Sequence, residues 1–163
     1  MKNKIIHYDL KPQNILFHNH QIKISDFGVS KIIEDVSDNT CGVELTSPGI
    51  GTYYYLPPEC FEIGKHITIN SKVDIWSLGV ICYEMVYGKK PCGHGYNQEK
   101  LFDIMSCMNK TVLPTEPKIS EELTEFLKGC LEFNISKRFT VENALNSKFI
   151  KGQIINENEI KDN

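Results

Sequence analysis

The chain has 163 residues, of which 40% are hydrophobic and 24% charged, with a net charge of −3 and a pI near 6.0. That balance excludes a general nucleic-acid binder, which needs a basic face. It suits one globular domain able to bury about 68–70% of its unfolded surface.

The start, MKNKII, lacks the apolar core of a signal peptide. The six cysteines, at 41, 60, 82, 92, 107 and 130, include no C-x-x-C pair and no zinc spacing. They read as reduced thiols in an intracellular compartment. NILF (14–17) and IKIS (22–25), separated by HNHQ, predict a short β-hairpin. From Asp26 to Glu59 the chain is irregular, with turn-rich SDNTCG and TSPGIG; a connection of that length is functional or disordered.

After Pro57–Pro58 the pattern becomes helical. Ser71 to Tyr87 predicts a helix capped by Ser71 and ended by Gly88. Its apolar stretch, VDIWSLGVICYEMVYG at 73–88, is too short for a membrane span and carries Asp74 and Glu84, so it reads as a core helix. The cluster GKKPCGHGYNQEK (88–100) reads as a solvated loop. Asn97 to Met108 predicts an amphipathic helix. Ser120 to Glu132 predicts another, opening with SEEL and placing Leu123, Phe126, Leu127, Cys130 and Leu131 on one face. Thr140 to Leu145 predicts a shorter one. The expected organisation is a domain over 1–150 and a polar tail over 151–163, mainly α with a small β-hairpin.

Three motifs carry chemistry. His7, Asp9, Lys11 and Asn14 form H-x-D-x-K-x-x-N; Asp26, Phe27 and Gly28 form D-F-G; Pro57, Pro58 and Glu59 form P-P-E. Each alone is weak, and D-F-G could be a turn after a strand. Their order, followed by DIWSLG at 74–79, is far more specific. Phosphoryl transfer needs an acceptor for the substrate hydroxyl's proton, a cation near the transferred phosphate and oxygen ligands for Mg²⁺. Asp9, Lys11, and Asn14 with Asp26 supply those in turn. A hairpin between Asn14 and Asp26 folds the two oxygen donors towards each other.

From Ile5 to Phe149 the sequence resembles the protein kinase superfamily, in its serine/threonine form through D-L-K-P-x-N. The resemblance implies the second half of the catalytic domain, the C-lobe, without the N-lobe or the helices before the catalytic loop. It implies ATP and Mg²⁺ as cofactors and transfer of the γ-phosphate to protein Ser or Thr. Asp9 is then the base, Lys11 the γ-phosphate contact, Asn14 and Asp26 the metal ligands, and Thr52 part of the substrate-facing loop. Glu59 and Arg138 match a buried salt bridge, and Asp74 matches the helix residue holding the catalytic loop. His7, Phe27 and Gly28 are structural. Read singly, Thr52 is a turn residue, Asp74 a first-turn acid and Arg138 an exposed helix-end cation.

IIHYDLKPQNIL, IKISDFGVSKII, ELTSPGIGTYYYLPPECF and SKVDIWSLGVICYEMVYGKKPCGH together resemble the Tousled-like kinases. That resemblance implies a nuclear protein acting on histone chaperones, with no direct nucleic-acid or membrane partner; outside that group a cytoplasmic location is expected. Tyr8 has no cation, where many kinases place an arginine that pairs with an activation-segment phosphate. The segment is therefore expected not to be switched through position 8, with Ser37, Thr40, Thr46 and Ser47 as other candidate phosphorylation sites. No Gly-rich loop or strand lysine precedes His7. The 163 residues alone are expected neither to bind ATP tightly nor to turn over usefully, and an exposed apolar surface is expected where further elements pack. The alternative reading is a non-catalytic half-kinase module that docks a substrate or partner protein.

Overall fold

A computed structural model describes residues 4–33, 43–44, 53–61 and 68–152. The strands are β1 (Lys4–Ile6), β2 (Ile15–His18), β3 (Gln21–Ile24), β4 (Lys31–Ile33), β5 (Val43–Glu44) and β6 (Thr68–Ile69). The helices are α1 (Lys72–Tyr87), α2 (Gln98–Cys107), α3 (Glu121–Cys130) and α4 (Val141–Leu145). The phosphorylation candidates Ser37, Thr40, Thr46 and Ser47 lie outside the described residues, as do Thr52 and most of the polar tail.

The predicted hairpin is β2–β3, antiparallel with Ile15 opposite Ile24 and His18 opposite Gln21. Its turn is Asn19–His20, both with positive φ (49° and 59°). That two-residue geometry matches the right-handed twist of the flanking strands, and asparagine tolerates it. Two further strand pairs add to the expected hairpin. β1 pairs with β4, Lys4 opposite Ile33, and β5 pairs with β6, Val43 opposite Ile69. All three pairs are two-stranded.

α1 is the centre of the core. Val73, Ile75, Trp76, Val80, Ile81 and Tyr83 are buried on several sides of it, as expected of a helix surrounded by protein. Gly79 makes this packing possible: a Cβ there would lie 2.7 Å from Cys130 Cβ and 3.0 Å from the Leu131 side chain. α3 therefore crosses α1 at nearly backbone contact. The face of α3 read from the sequence is the one it buries, through Phe126, Leu127 and Cys130.

The helix ends read at Gly88 and Ser120 hold, the one at Ser71 does not, and Asn97 and Thr140 add two further caps. Gly88 adopts φ 65° and donates its N–H to Glu84 O, closing α1 in the left-handed conformation that glycine favours. Ser120 Oγ accepts from Leu123 N, and Asn97 Oδ1 accepts from Lys100 N. Thr140 and Asn143 exchange side-chain and backbone bonds in a capping box. Ser71, however, does not cap α1 with its side chain. Its backbone is already helical (φ −58°, ψ −12°), so its hydroxyl cannot reach back over the first turn, and Asn70 Oδ1 takes the Lys72 N–H instead.

Leu16, Phe17, Ile22 and Ile24 of the hairpin are exposed, Phe17 by 73%, as are Ile5, Phe27 and Ile32. Apolar clustering of this kind marks a surface that packs against something else. Among the described residues no helix is long and apolar enough to cross a membrane.

Candidate active site

The loop between β1 and β2 is held from beneath by α1. Asp74 Oδ2 accepts from His7 N at 2.8 Å, and Oδ1 accepts from Tyr8 N at 2.9 Å. Asp74 is a first-turn acid, as its position suggests, but its carboxylate is spent on another segment rather than on its own helix. Burial pushes this carboxyl up from its ordinary range; the two backbone N–H groups and the nearby His7 ring oppose the rise.

Asp74→Asn keeps the shape but turns an amide N–H₂ towards one of these two donors. One part-buried N–H loses its partner, at a cost of about 1–3 kcal/mol. We expect lower stability and faster hydrogen exchange of the His7 and Tyr8 amides. Unchanged exchange at both would show that Asp74 does not hold the loop.

His7 ties the loop to the strand that follows. Its Nε2 lies 2.9 Å from Ser25 O, its Nδ1 lies 3.3 Å from Asp9 N, and Phe27 stacks edge-on at 4.8 Å. The Nε2–H tautomer satisfies both bonds. Ser25 extends this tie by donating its N–H to Asn14 O at 2.9 Å, with its hydroxyl at 3.3 Å from the same oxygen. Sequence reasoning did not single out Ser25; its position opposite Asn14, one residue beyond the Ile15–Ile24 pair, is the signal that could have found it.

Asp9, Lys11 and Asn14 form one bonded group. Lys11 Nζ lies 2.7 Å from Asp9 Oδ2. Asn14 Nδ2 donates to Asp9 O at 2.9 Å and to Asp9 Oδ2 at 3.2 Å. Asn14 is buried through the short 3₁₀ turn Pro12–Asn14, whereas Asp9 and Lys11 stay partly open. The carboxylate is thus oriented by two donors and remains partly open, its side chain 11% exposed. Asp26 adopts φ 61° and is exposed, and Gly28 N donates to its Oδ1 at 3.3 Å. A Cβ on Gly28 would sit 3.2 Å from that oxygen, so glycine leaves the carboxylate room. With Asn14 opposite Ser25, the hairpin carries Asn14 and Asp26 at its same end.

Tyr8 is the outlier of the loop. Its φ is 69°, a region a bulky aromatic rarely adopts, costing about 1–3 kcal/mol. Its side chain is 2% exposed and packs in the main core with Leu56 and Cys60.

Glu59 and Arg138 meet in the interior. Arg138 NH1 and NH2 reach Glu59 Oε1 and Oε2 at 2.7 and 2.9 Å, a bidentate pair. Arg138 Nε donates to Glu132 O at 2.8 Å, and its guanidinium lies 5.0 Å over the Trp76 ring. Arg138 is therefore not an exposed helix-end cation.

The tyrosines at 53–55 are a packing unit, and they tie down the basic cluster. Ser77 Oγ donates to Tyr55 O, and the Tyr55 hydroxyl donates to Glu84 at 2.7 Å. Glu84 also receives Lys90 Nζ at 2.9 Å, and the Tyr54 hydroxyl donates to Tyr96 O. Lys90 is thereby held in place rather than freely solvated.

Asn14 and Asp26 offer the oxygen donors that Mg²⁺ prefers. Among the described residues no group of three His, Cys, Asp or Glu side chains is placed to hold a metal. That is compatible with an ion that keeps waters and takes its other ligands from phosphates.

The protein kinase domain family matches residues 1–150. The serine/threonine-protein kinase TOUSLED of Arabidopsis thaliana is 50% identical over 139 residues, 83% of this chain and 20% of that protein. Serine/threonine-protein kinase tousled-like 1 of Homo sapiens is 43% identical over 157 residues, 92% of this chain and 20% of its own. Tousled-like 2 of Xenopus tropicalis is 46% identical over 150 residues, 87% and 22% respectively. The chain thus spans about a fifth of the length of these relatives. Motif order, loop geometry and family match agree, and the chain belongs to the protein kinase family, with Tousled-like serine/threonine kinases as relatives over most of its length.

Proposed function

We propose that the chain is the C-lobe portion of a serine/threonine kinase that transfers the γ-phosphate of ATP to a Ser or Thr hydroxyl of a protein. The observation that carries this reading is the bonded group of Asp9, Lys11 and Asn14 over the Asp74 anchor. The Asp9 carboxylate accepts the proton of the attacking hydroxyl. Lys11 would offset the charge of the phosphate being transferred. Asn14 commits its amide nitrogen to Asp9, so its oxygen and the Asp26 carboxylate would be the donors for Mg²⁺, which would supply charge neutralisation on the phosphates. Thr52 belongs to the substrate-facing loop. Lys11, in D-L-K-P-x-N, favours Ser and Thr over Tyr as acceptors.

On the resemblance of the sequence to Tousled-like kinases, the proposal extends to a nuclear kinase acting on histone chaperones. The 163 residues contain no G-x-G-x-x-G, so by themselves they are expected to be inactive. The exposed apolar side chains of β2 and β3 favour a second reading, a docking module. Such a module has no need of Asp9, Lys11, Asn14 and Asp26 together, and catalysis is therefore preferred.

The test is the full-length protein with labelled ATP, Mg²⁺ and a histone chaperone, followed by phosphoamino-acid analysis. Phosphoserine or phosphothreonine is expected. Phosphotyrosine alone, or no transfer to any protein acceptor, would sink the reading. Turnover of the 163-residue chain in the roughly 1–100 s⁻¹ range of ordinary kinases would overturn its expected inactivity.

A further inference from the structure

Tyr8 links two segments that the sequence keeps far apart. Its backbone N–H is fixed by Asp74, and the next residue is Asp9. Its ring is buried in the core cluster that also holds Cys60 and Phe61 of the 3₁₀ turn Pro58–Phe61, with Cys60 and Glu59 as neighbours of its hydroxyl; Cys60 is fully buried and Glu59 is clamped by Arg138. The Tyr8 hydroxyl sits beside the Cys60 thiol without a hydrogen bond of good geometry. Burial pushes the Tyr8 hydroxyl up, and it pushes the Cys60 thiol up to about 12. Both groups are therefore neutral at any working pH, and the contact is one of packing rather than charge.

We propose that Tyr8 is a positioning residue whose buried ring couples the Asp9–Asn14 loop to the Pro58–Phe61 turn through Cys60, holding the loop by packing. The inference rests on the role proposed for Asp9. The positive φ of Tyr8 is the geometric sign of this coupling: the loop turns sharply so that residue 8 points into the core while Asp9 stays partly open. A contiguous route then runs from Asp9 through Tyr8, Cys60 and Glu59 to Arg138 and Trp76.

The test uses the full-length kinase, assayed for kcat and for KM towards ATP. Tyr8→Phe removes only an unpaired hydroxyl, so kcat is expected within twofold and the pH profile unmoved. Tyr8→Leu keeps burial but loses the reach to Cys60. For it kcat is expected to fall tenfold or more while KM for ATP stays within twofold. Should Tyr8→Leu fail to fold, Cys60→Ala removes the contact from the other side and is expected to lower kcat threefold or more in a folded protein. Unchanged kcat in Cys60→Ala and in folded Tyr8→Leu would sink the coupling, as would a Tyr8→Phe defect as large as that of Tyr8→Leu. Asp9→Asn runs alongside: activity there removes the catalytic reading itself, whereas an inactive Asp9→Asn with an active Tyr8→Leu removes only the coupling.

Discussion

Asp9→Asn in the full-length kinase is expected to lower kcat by about 10²–10⁴-fold, the usual range for loss of a positioned general base. In free energy this is about 3–5 kcal/mol of transition-state stabilisation. The argument comes from the bonds around the carboxylate. Lys11 Nζ and Asn14 Nδ2 both donate to Asp9 Oδ2. An asparagine there can still accept through its one oxygen, so the loop has a way to stay formed. It cannot take a proton from a hydroxyl at working pH. KM for ATP is therefore expected to change far less than kcat, since no ground-state contact to the nucleotide is assigned to Asp9. A variant keeping more than a tenth of wild-type kcat would exclude Asp9 as the base. Asp9→Glu separates position from charge: it keeps the carboxylate but moves it by a methylene. A displacement near 1 Å can cost about 10²-fold, so this variant is expected to be nearly as poor.

The features legible in the sequence are those set by local chemistry. The β2–β3 hairpin, the glycine end of α1 and the Ser120 start of α3 depend on neighbours a few residues away. β1 and β4 were not legible. Each is the triplet Lys-Ile-Ile, too short to show a period of two, and the pairing joins residues 4–6 with 31–33. Ser71 was misjudged because a cap depends on backbone angles as well as residue type.

The candidate site divides in the same way. The spacing of Asp9, Lys11 and Asn14 brings them together because they share one loop. Read singly, Asp74 is better taken as a first-turn acid and Arg138 as an exposed cation, and only the resemblance lifts them above that. Their partners, His7 and Tyr8 in one case and Glu59 in the other, lie 66 to 79 positions away. Tyr8 shows the limit most clearly. Its lack of a cation could be read directly, but the direction of its ring could not, because that depends on Cys60 and on a backbone angle.

Arg138→Ala is expected to destabilise the fold by about 3–5 kcal/mol, the usual consequence of stranding one member of a buried pair. Against a total stability of about 5–15 kcal/mol that leaves a marginal protein. Arg138 is 1% exposed and Glu59 7%, so water cannot take over the guanidinium's bonds without opening the core. Removal leaves the Glu59 carboxylate without its bidentate partner, and Glu132 O without the Nε donor. Arg138→Lys keeps a charge but neither the fork nor the Nε bond, so a smaller loss is expected. The double variant Glu59→Gln with Arg138→Met removes both charges, and its loss should fall short of the summed single losses, since no orphaned ion remains. Trp76 makes the measurement direct. It is the single tryptophan of the chain, and its ring lies 5.0 Å from the Arg138 guanidinium, so fluorescence during urea unfolding reports this region. A lower midpoint at unchanged slope would register the loss as stability. A shift equivalent to less than about 1 kcal/mol, the range of exposed pairs, would show that the Glu59–Arg138 pair is not buried in solution. The route proposed from Asp9 through Cys60 to Arg138 would then lose its far anchor.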